Sequence, residues 1–196
     1  MSHKGPKKTE LDSLKECYKY NSYVRKKYLQ ALERLSHEEL VRDRGASYPS
    51  LVEIFIHVLG AYTYWLMIKY PRLSKEEVER ISKEEIDETS LEAAKKLENE
   101  VDSYAMKFIE ELDDEKLAST FEIKTRSGKK EVITVSQMLW HLCEEELQHR
   151  GELNALFWQM NIDPPVTGWI DWKVETGEVK QEPMTSSSSE VISANP

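Results

Sequence analysis

Apolar positions recur at helical spacing in four long stretches of this chain, and one short stretch alternates instead. From Thr9 to about Leu35, the residues Leu11, Leu14, Tyr18, Val24, Tyr28, Leu32 and Leu35 recur without an internal Gly or Pro, which predicts a long first helix. Ser36-His37-Glu38-Glu39 has the pattern of a capping box and predicts a short restart of the chain. After a loop over Arg44–Pro49, Ser50-Leu51-Val52-Glu53 repeats that pattern. A second helix is expected from there to about Tyr70, with Pro71 as its stop. Apolar side chains surround this helix almost completely, as they do in a helix at the middle of a fold or at a subunit contact.

Residues 72–88 are rich in Lys and Glu, with Ser74 and Ser82 as candidate caps of short surface turns. Ser90 to about Leu112 is a third long helix, apolar along Leu91, Ala94, Leu97, Val101, Tyr104, Ala105, Phe108 and Leu112 and charged opposite. Between Ala118 and Thr134 the period changes. Phe121, Ile123 and Thr125 alternate with polar residues, Ser127-Gly128 signals a turn, and Val132-Ile133 follow, which predicts a small β-hairpin. Thr134 to Gln137 caps a fourth helix that runs to about Met160, and Asp163-Pro164-Pro165 ends it. The expected organisation is one all-α domain over 9–172. A polar tail over 173–196, including the Ser186–Ser189 run, is expected to be disordered.

Composition narrows the function classes. The net charge is −9 with no basic stripe, so DNA and RNA are not expected as partners. Cys17 and Cys143 are far apart in sequence and form no CxxC. They read as reduced, packed thiols, with a single bridge between helices left open. No apolar core follows the polar stretch Met1 to Lys8, and the apolar run Ile54–Ile68 is short for a bilayer span, so no membrane is expected and the location is expected to be cytoplasmic.

Candidate chemistry comes from polar residues on apolar faces. His57, His141 and His149 lie inside predicted helices. With Met138 at zero on the fourth helix, Leu142, Leu153, Leu156 and Met160 fall within about 60°, while Glu145 and His149 fall about 20° to either side. His141 lies about 60° off. A carboxylate among Leu and Met is costly unless paired, hydrogen-bonded or bound to a metal. Glu145 and His149, four apart, stack one turn from each other and can grip one ion. His141 with Glu145 is allowed on the same grounds. His57 lies beside the stripe of Ile54, Val58, Ala61 and Trp65 on the second helix. Two His and one carboxylate, with positions left open, suit Zn, Ni, Fe or Mn. The competing reading is a buried Glu145–His149 ion pair, with His57 bonded to a tyrosine.

Leu139-Trp140-His141 through His149-Arg150-Gly151-Glu152-Leu153 resembles the His-x3-His-x3-His-Arg-Gly-Gln pattern of the DinB/YfiT-like metal-binding family. Ser50 to Trp65, with His57 and a Trp eight residues later, is also similar, and Tyr20-Asn21 and Asp163-Pro164-Pro165 are weaker echoes. The resemblance covers roughly residues 10–172 and implies an antiparallel four-helix bundle. It implies a divalent metal on His57, Glu145 and His149, with Glu145 standing where the family pattern has His. It also implies that Arg150 pairs with a nearby acid and that Gly151 permits close helix approach.

By the same resemblance, the expected function is a metal-dependent enzyme acting on a small-molecule substrate, with transfer involving a low-molecular-weight thiol as the leading class. Glu53, Tyr62 and Glu146 are the acid–base candidates, and each also reads as structural. The alternatives are a stress-associated bundle that binds metal or ligand without catalysis, and a metal-free scaffold or homodimer.

Overall fold

The computed structural model describes residues 8–179 apart from Pro71, Glu85 and Arg126, and the expected stop at Pro71 and the Ser186–Ser189 run lie outside the described residues. Side-chain caps set most helix starts. Thr9 caps α1 (Glu10–Leu32) in a reciprocal box with Asp12, and Ser36 caps the short α2 (His37–Val41). The Ser50 hydroxyl accepts from the Glu53 N–H to open α3 (Leu51–Tyr62). Each such bond satisfies an N–H that the first helical turn leaves without a partner.

The second predicted helix is one continuous stretch, but its last seven residues, Thr63–Lys69, widen into a π-helix. The bond from the Tyr70 N–H to the Trp65 carbonyl (3.0 Å) closes it. At 19 residues, Leu51–Lys69 exceeds the 54–68 run and is long and apolar enough by length and composition to cross a membrane. Of that window, 56% is buried inside the protein. Leu51, Ile54, Phe55, Leu59 and Leu66 are buried, while Tyr64 is exposed.

The charged stretch after it folds into a helix rather than turns: α4 (Lys75–Lys83), capped by Ser74 in a box with Glu77. Next come α5 (Leu91–Glu110) and a short α6 (Asp114–Ala118). The expected hairpin is present as β1 (Thr120–Lys124) and β2 (Lys130–Thr134), antiparallel with Phe121 opposite Ile133. Gly128 takes a left-handed φ of 82° in its turn, which a glycine adopts without strain. Phe121 is the buried anchor of the hairpin, edge-on to Tyr70 at 5.5 Å. Thr134 then caps α7 (Val135–Gln159).

Helices α1 and α3 each pack against both α5 and α7. Leu14 and Tyr28 of α1, Leu59 of α3, Phe108 and Ile109 of α5, and Leu139, Leu142 and Phe157 of α7 are among the buried residues between them. Full burial of such a side chain contributes about 1.5–3 kcal/mol, so the four long helices hold one another in place.

Among these apolar layers lies a buried ion cluster. The Arg25 guanidinium of α1 donates to Glu146 of α7 and, at 3.0 Å, to Asp102 of α5. Its Nε stands 3.8 Å from the Glu98 carboxylate, and its face covers the Tyr62 ring at 4.8 Å. Lys26 also reaches Asp102, at 2.7 Å. Beside this cluster the Cys17 and Cys143 thiols, both free, stand 3.1 Å apart across α1 and α7.

The described residues from Thr167 to Val179 belong to a second compact unit. Within it Trp169–Glu175 is a helix, α8, so the first residues assigned to the polar tail are helical. Lys173 lies over the Trp172 ring at 4.4 Å and pairs with Glu178 at 2.6 Å.

Candidate metal centre

Helices α3 and α7 lie side by side, and their contact brings His57 to Glu145 and His149. His149 Nε2 is 3.5 Å and His57 Nε2 is 3.6 Å from the same oxygen, Oε2 of Glu145. The two imidazoles meet edge to face, with centroids 4.7 Å apart. All three donor atoms lie within 4.8 Å of one another. Donors about 2.1 Å from one ion at tetrahedral angles stand about 3.4 Å apart, so this trio fits a single divalent ion with little adjustment.

Burial differs across the trio. The His149 side chain is 4% exposed, whereas His57 and Glu145 are 28% and 23% exposed. The centre therefore has a closed wall and an open side. Burial, and then the neighbouring His149, pushes the His57 imidazole below its ordinary range, with Glu145 partly opposing them. His57 thus stays neutral to lower pH, and neutral imidazole is the form that binds a metal.

One donor imidazole is held from behind by a carboxylate, and the other is packed against a tyrosine ring. The far nitrogen of His149, Nδ1, is 3.0 Å from Oε2 of Glu152. Glu152 is held in turn by the Ser47 N–H at 2.6 Å and the Ser47 hydroxyl at 2.7 Å. Burial works against its charge, but the Ser47 bonds and the His149 imidazole outweigh it and hold the carboxyl below the ordinary range. On the other side, the Tyr48 ring stacks on His57 at 4.1 Å, with its hydroxyl 3.3 Å from His57 Nε2. The tyrosine contact expected in the metal-free reading therefore exists beside the trio.

His141 takes a flanking place. Its Nε2 is 3.6 Å from Oε1 of Glu145, its Nδ1 is 3.4 Å from Glu144, and the Trp65 indole packs edge-on at 5.2 Å. The sequence pattern did not find Tyr48, Ser47 or a role for Glu152. Glu152 had a readable signal, three residues after His149 on the same helix face. The loop residues had none.

The acid–base candidates are committed elsewhere. Glu53 accepts from Ser50 at the α3 cap. Glu146 pairs with Arg25. Tyr62 is buried and its phenol is pushed well up, by burial and then by Glu146. Arg150 donates to the Tyr20 hydroxyl at 2.5 Å rather than to an acid. Gly151 faces open space, so close helix approach is not what its missing side chain serves here. A cavity of about 890 Å³ among Met67, Ile81, Leu97 and Tyr104 contains none of the donor residues.

The DinB family model matches residues 6–177, nearly the whole chain. The protein belongs to the DinB family. No curated protein matches it closely. In this DinB chain Glu145 supplies a carboxylate between the two histidines of the trio.

Proposed function

We propose that this DinB-family protein is an antiparallel four-helix bundle that holds one divalent metal ion on His57, Glu145 and His149 and acts as an enzyme on a small molecule, by transfer involving a thiol. One observation carries the reading: an imidazole from α3 and an imidazole from α7 point at the same carboxylate oxygen, 3.6 and 3.5 Å away. That spacing suits shared coordination, and mixed N and O donors suit Zn, Ni, Fe or Mn.

A bound ion supplies Lewis acidity and lowers the pKa of a thiol or water in its open position. The chain's own residues do the rest. Glu152 and Ser47 fix the orientation of His149, and burial favours the neutral form of His57. The Tyr48 hydroxyl, beside His57 Nε2, is placed to exchange a proton with a ligand on the open side.

A second reading, binding of an ion or ligand without turnover, is favoured by the structural commitment of Glu53, Tyr62 and Glu146. Elemental analysis of untagged protein tests the ion. At least one equivalent is expected in the parent, with one equivalent lost in His57→Ala and His149→Ala, and a parent with no bound metal after loading refutes the reading. Assays pairing low-molecular-weight thiols with electrophilic substrates then separate turnover from binding. Activity that tracks metal content supports the enzyme, and inactivity of fully loaded protein across the panel supports the second reading.

A further inference from the structure

The two oxygens of Glu145 face different histidines. Oε2 lies toward His57 and His149, while Oε1 lies 3.6 Å from Nε2 of His141. A second set of donors, from His141, Glu144 and Glu145, meets the same closeness as the first, with one atom from each residue within 4.8 Å of the others. The two sets share one residue.

We propose that Glu145 bridges two divalent cations, the second held by its Oε1 with His141 and Glu144. The inference rests on the first site of the preceding subsection. A bridging role needs two donor atoms on one short side chain, which a carboxylate has. A neutral imidazole at position 145, the residue type in the family pattern, has one lone pair for metal and serves one set only. Paired metal centres hold their ions about 3.5–4 Å apart, a separation that the two oxygens of one carboxylate can span.

Charge favours the pairing. Glu144 and Glu145 together bring two negative charges to the cluster, and Glu152 adds a third behind His149. A second dication placed beside the first therefore meets two carboxylates together with the His141 imidazole.

The two sites differ in exposure, which sets the order of filling. His149 is nearly enclosed, whereas His141 is 39% and Glu144 64% exposed. Ordering exposed side chains costs conformational entropy, so the outer ion binds second and more weakly. Trp65, edge-on to the His141 ring, limits part of that freedom.

Manganese(II) is the probe. The full-length, metal-free protein is titrated, with bound metal measured by equilibrium dialysis and elemental analysis and with electron paramagnetic resonance recorded at each equivalent. Two equivalents are expected in the parent, with exchange-coupled signals growing only as the second fills. His141→Ala and Glu145→His are each expected to keep one equivalent and lose the coupling, with circular dichroism confirming the fold. One equivalent at saturation that His57→Ala removes and His141→Ala does not affect overturns the bridge and leaves the first site standing. Two equivalents without coupling also overturn it. No bound manganese overturns the bridge, and no bound zinc, nickel or iron either overturns the first site as well.

Discussion

Nδ1 of His149 and Oε2 of Glu152 stand 3.0 Å apart on successive turns of α7, so the imidazole that points Nε2 at Glu145 is held from behind. Such a contact fixes the ring's orientation and tautomer and raises the basicity of the ligating nitrogen. Glu152→Ala is expected to weaken metal binding about 10–100-fold, the usual effect of losing a partner behind a ligand. Glu152→Gln keeps an acceptor but not the charge, and should lose less. Competition against a chromophoric chelator measures both, and equal affinity in the alanine variant and the parent would remove Glu152 from the site.

The four long helices, their caps and the hairpin were legible because each has a period and a start signal. The placement of the acids on α7 was legible only in part. Centring the buried face on Met138, Leu142 and Leu156 puts Glu145 near its middle. Leu139 and Phe157, also buried, lie about 100° round and move the centre to about 50°. Glu146, at about 80°, is then well inside, and Glu145 sits at the margin beside α3. That margin is where the proposed ion would need it. Arg25 left a similar trace, seven residues from both Tyr18 and Leu32 on a face that is otherwise buried. What no local pattern encodes is which helix answers it. The loop residues Ser47 and Tyr48, and the π turn that carries Trp65 to His141, depend on contacts distant in sequence and left no periodic signal.

The Arg25–Glu146 pair yields a stability prediction. Both side chains are nearly inaccessible to water, and Glu146 takes a direct bond from the guanidinium. Removing one partner of a buried pair leaves the other charge uncompensated and typically costs about 3–5 kcal/mol. Glu146→Ala should fall near the lower end, because Asp102 still neutralises Arg25. Chemical denaturation gives the value, and a loss below about 1 kcal/mol, the scale of an exposed pair, contradicts the assignment. Metal stoichiometry should survive the substitution, since Glu146 is not in the donor trio.

Glu98 predicts a pH dependence of the opposite kind to ordinary acid denaturation. Burial raises its carboxyl, Arg25 opposes that shift, and Asp102 and Glu146 add to it. Its Oε1 has no hydrogen-bond partner. Because the folded protein holds this proton more tightly than the unfolded chain, the contribution is full below the unfolded carboxylate range. It is lost as pH rises through the folded value. Glu98→Gln is therefore expected to raise the unfolding midpoint at neutral pH, with the gain shrinking as pH falls into the carboxylate range. Asp102 runs the other way: burial opposes its charge, but Lys26, Ser22 and Arg25 hold its carboxyl down. Its contribution is present above the unfolded range and lost as pH falls through the folded one. Thermal melts of the parent and Glu98→Gln across pH 4–8 check the first sign and those of Asp102→Asn the second, and a Glu98→Gln gain that grows on acidification contradicts the first.

Cys17 and Cys143 give the last prediction. The thiols share a hydrogen bond at 3.1 Å, which holds Cys17 below the ordinary thiol range, while that bond and burial push Cys143 up. Cys17 is then the first to become a thiolate and the attacking group. With oxidised glutathione it displaces one glutathione thiolate to form a mixed disulfide. Cys143, on losing its proton, displaces the second and closes an intramolecular bond between α1 and α7. The sulfurs must approach to about 2.05 Å, a small movement across two packed helices. Such a bond stabilises a chain by roughly 2–4 kcal/mol through the unfolded state, so the oxidised form should melt several degrees higher. Peptide mapping without reductant should recover the Cys17–Cys143 pair, and Cys17→Ser should abolish both the pair and the shift. Two titratable thiols remaining after prolonged oxidation, or cross-links only between molecules, would show that the helices hold the sulfurs apart.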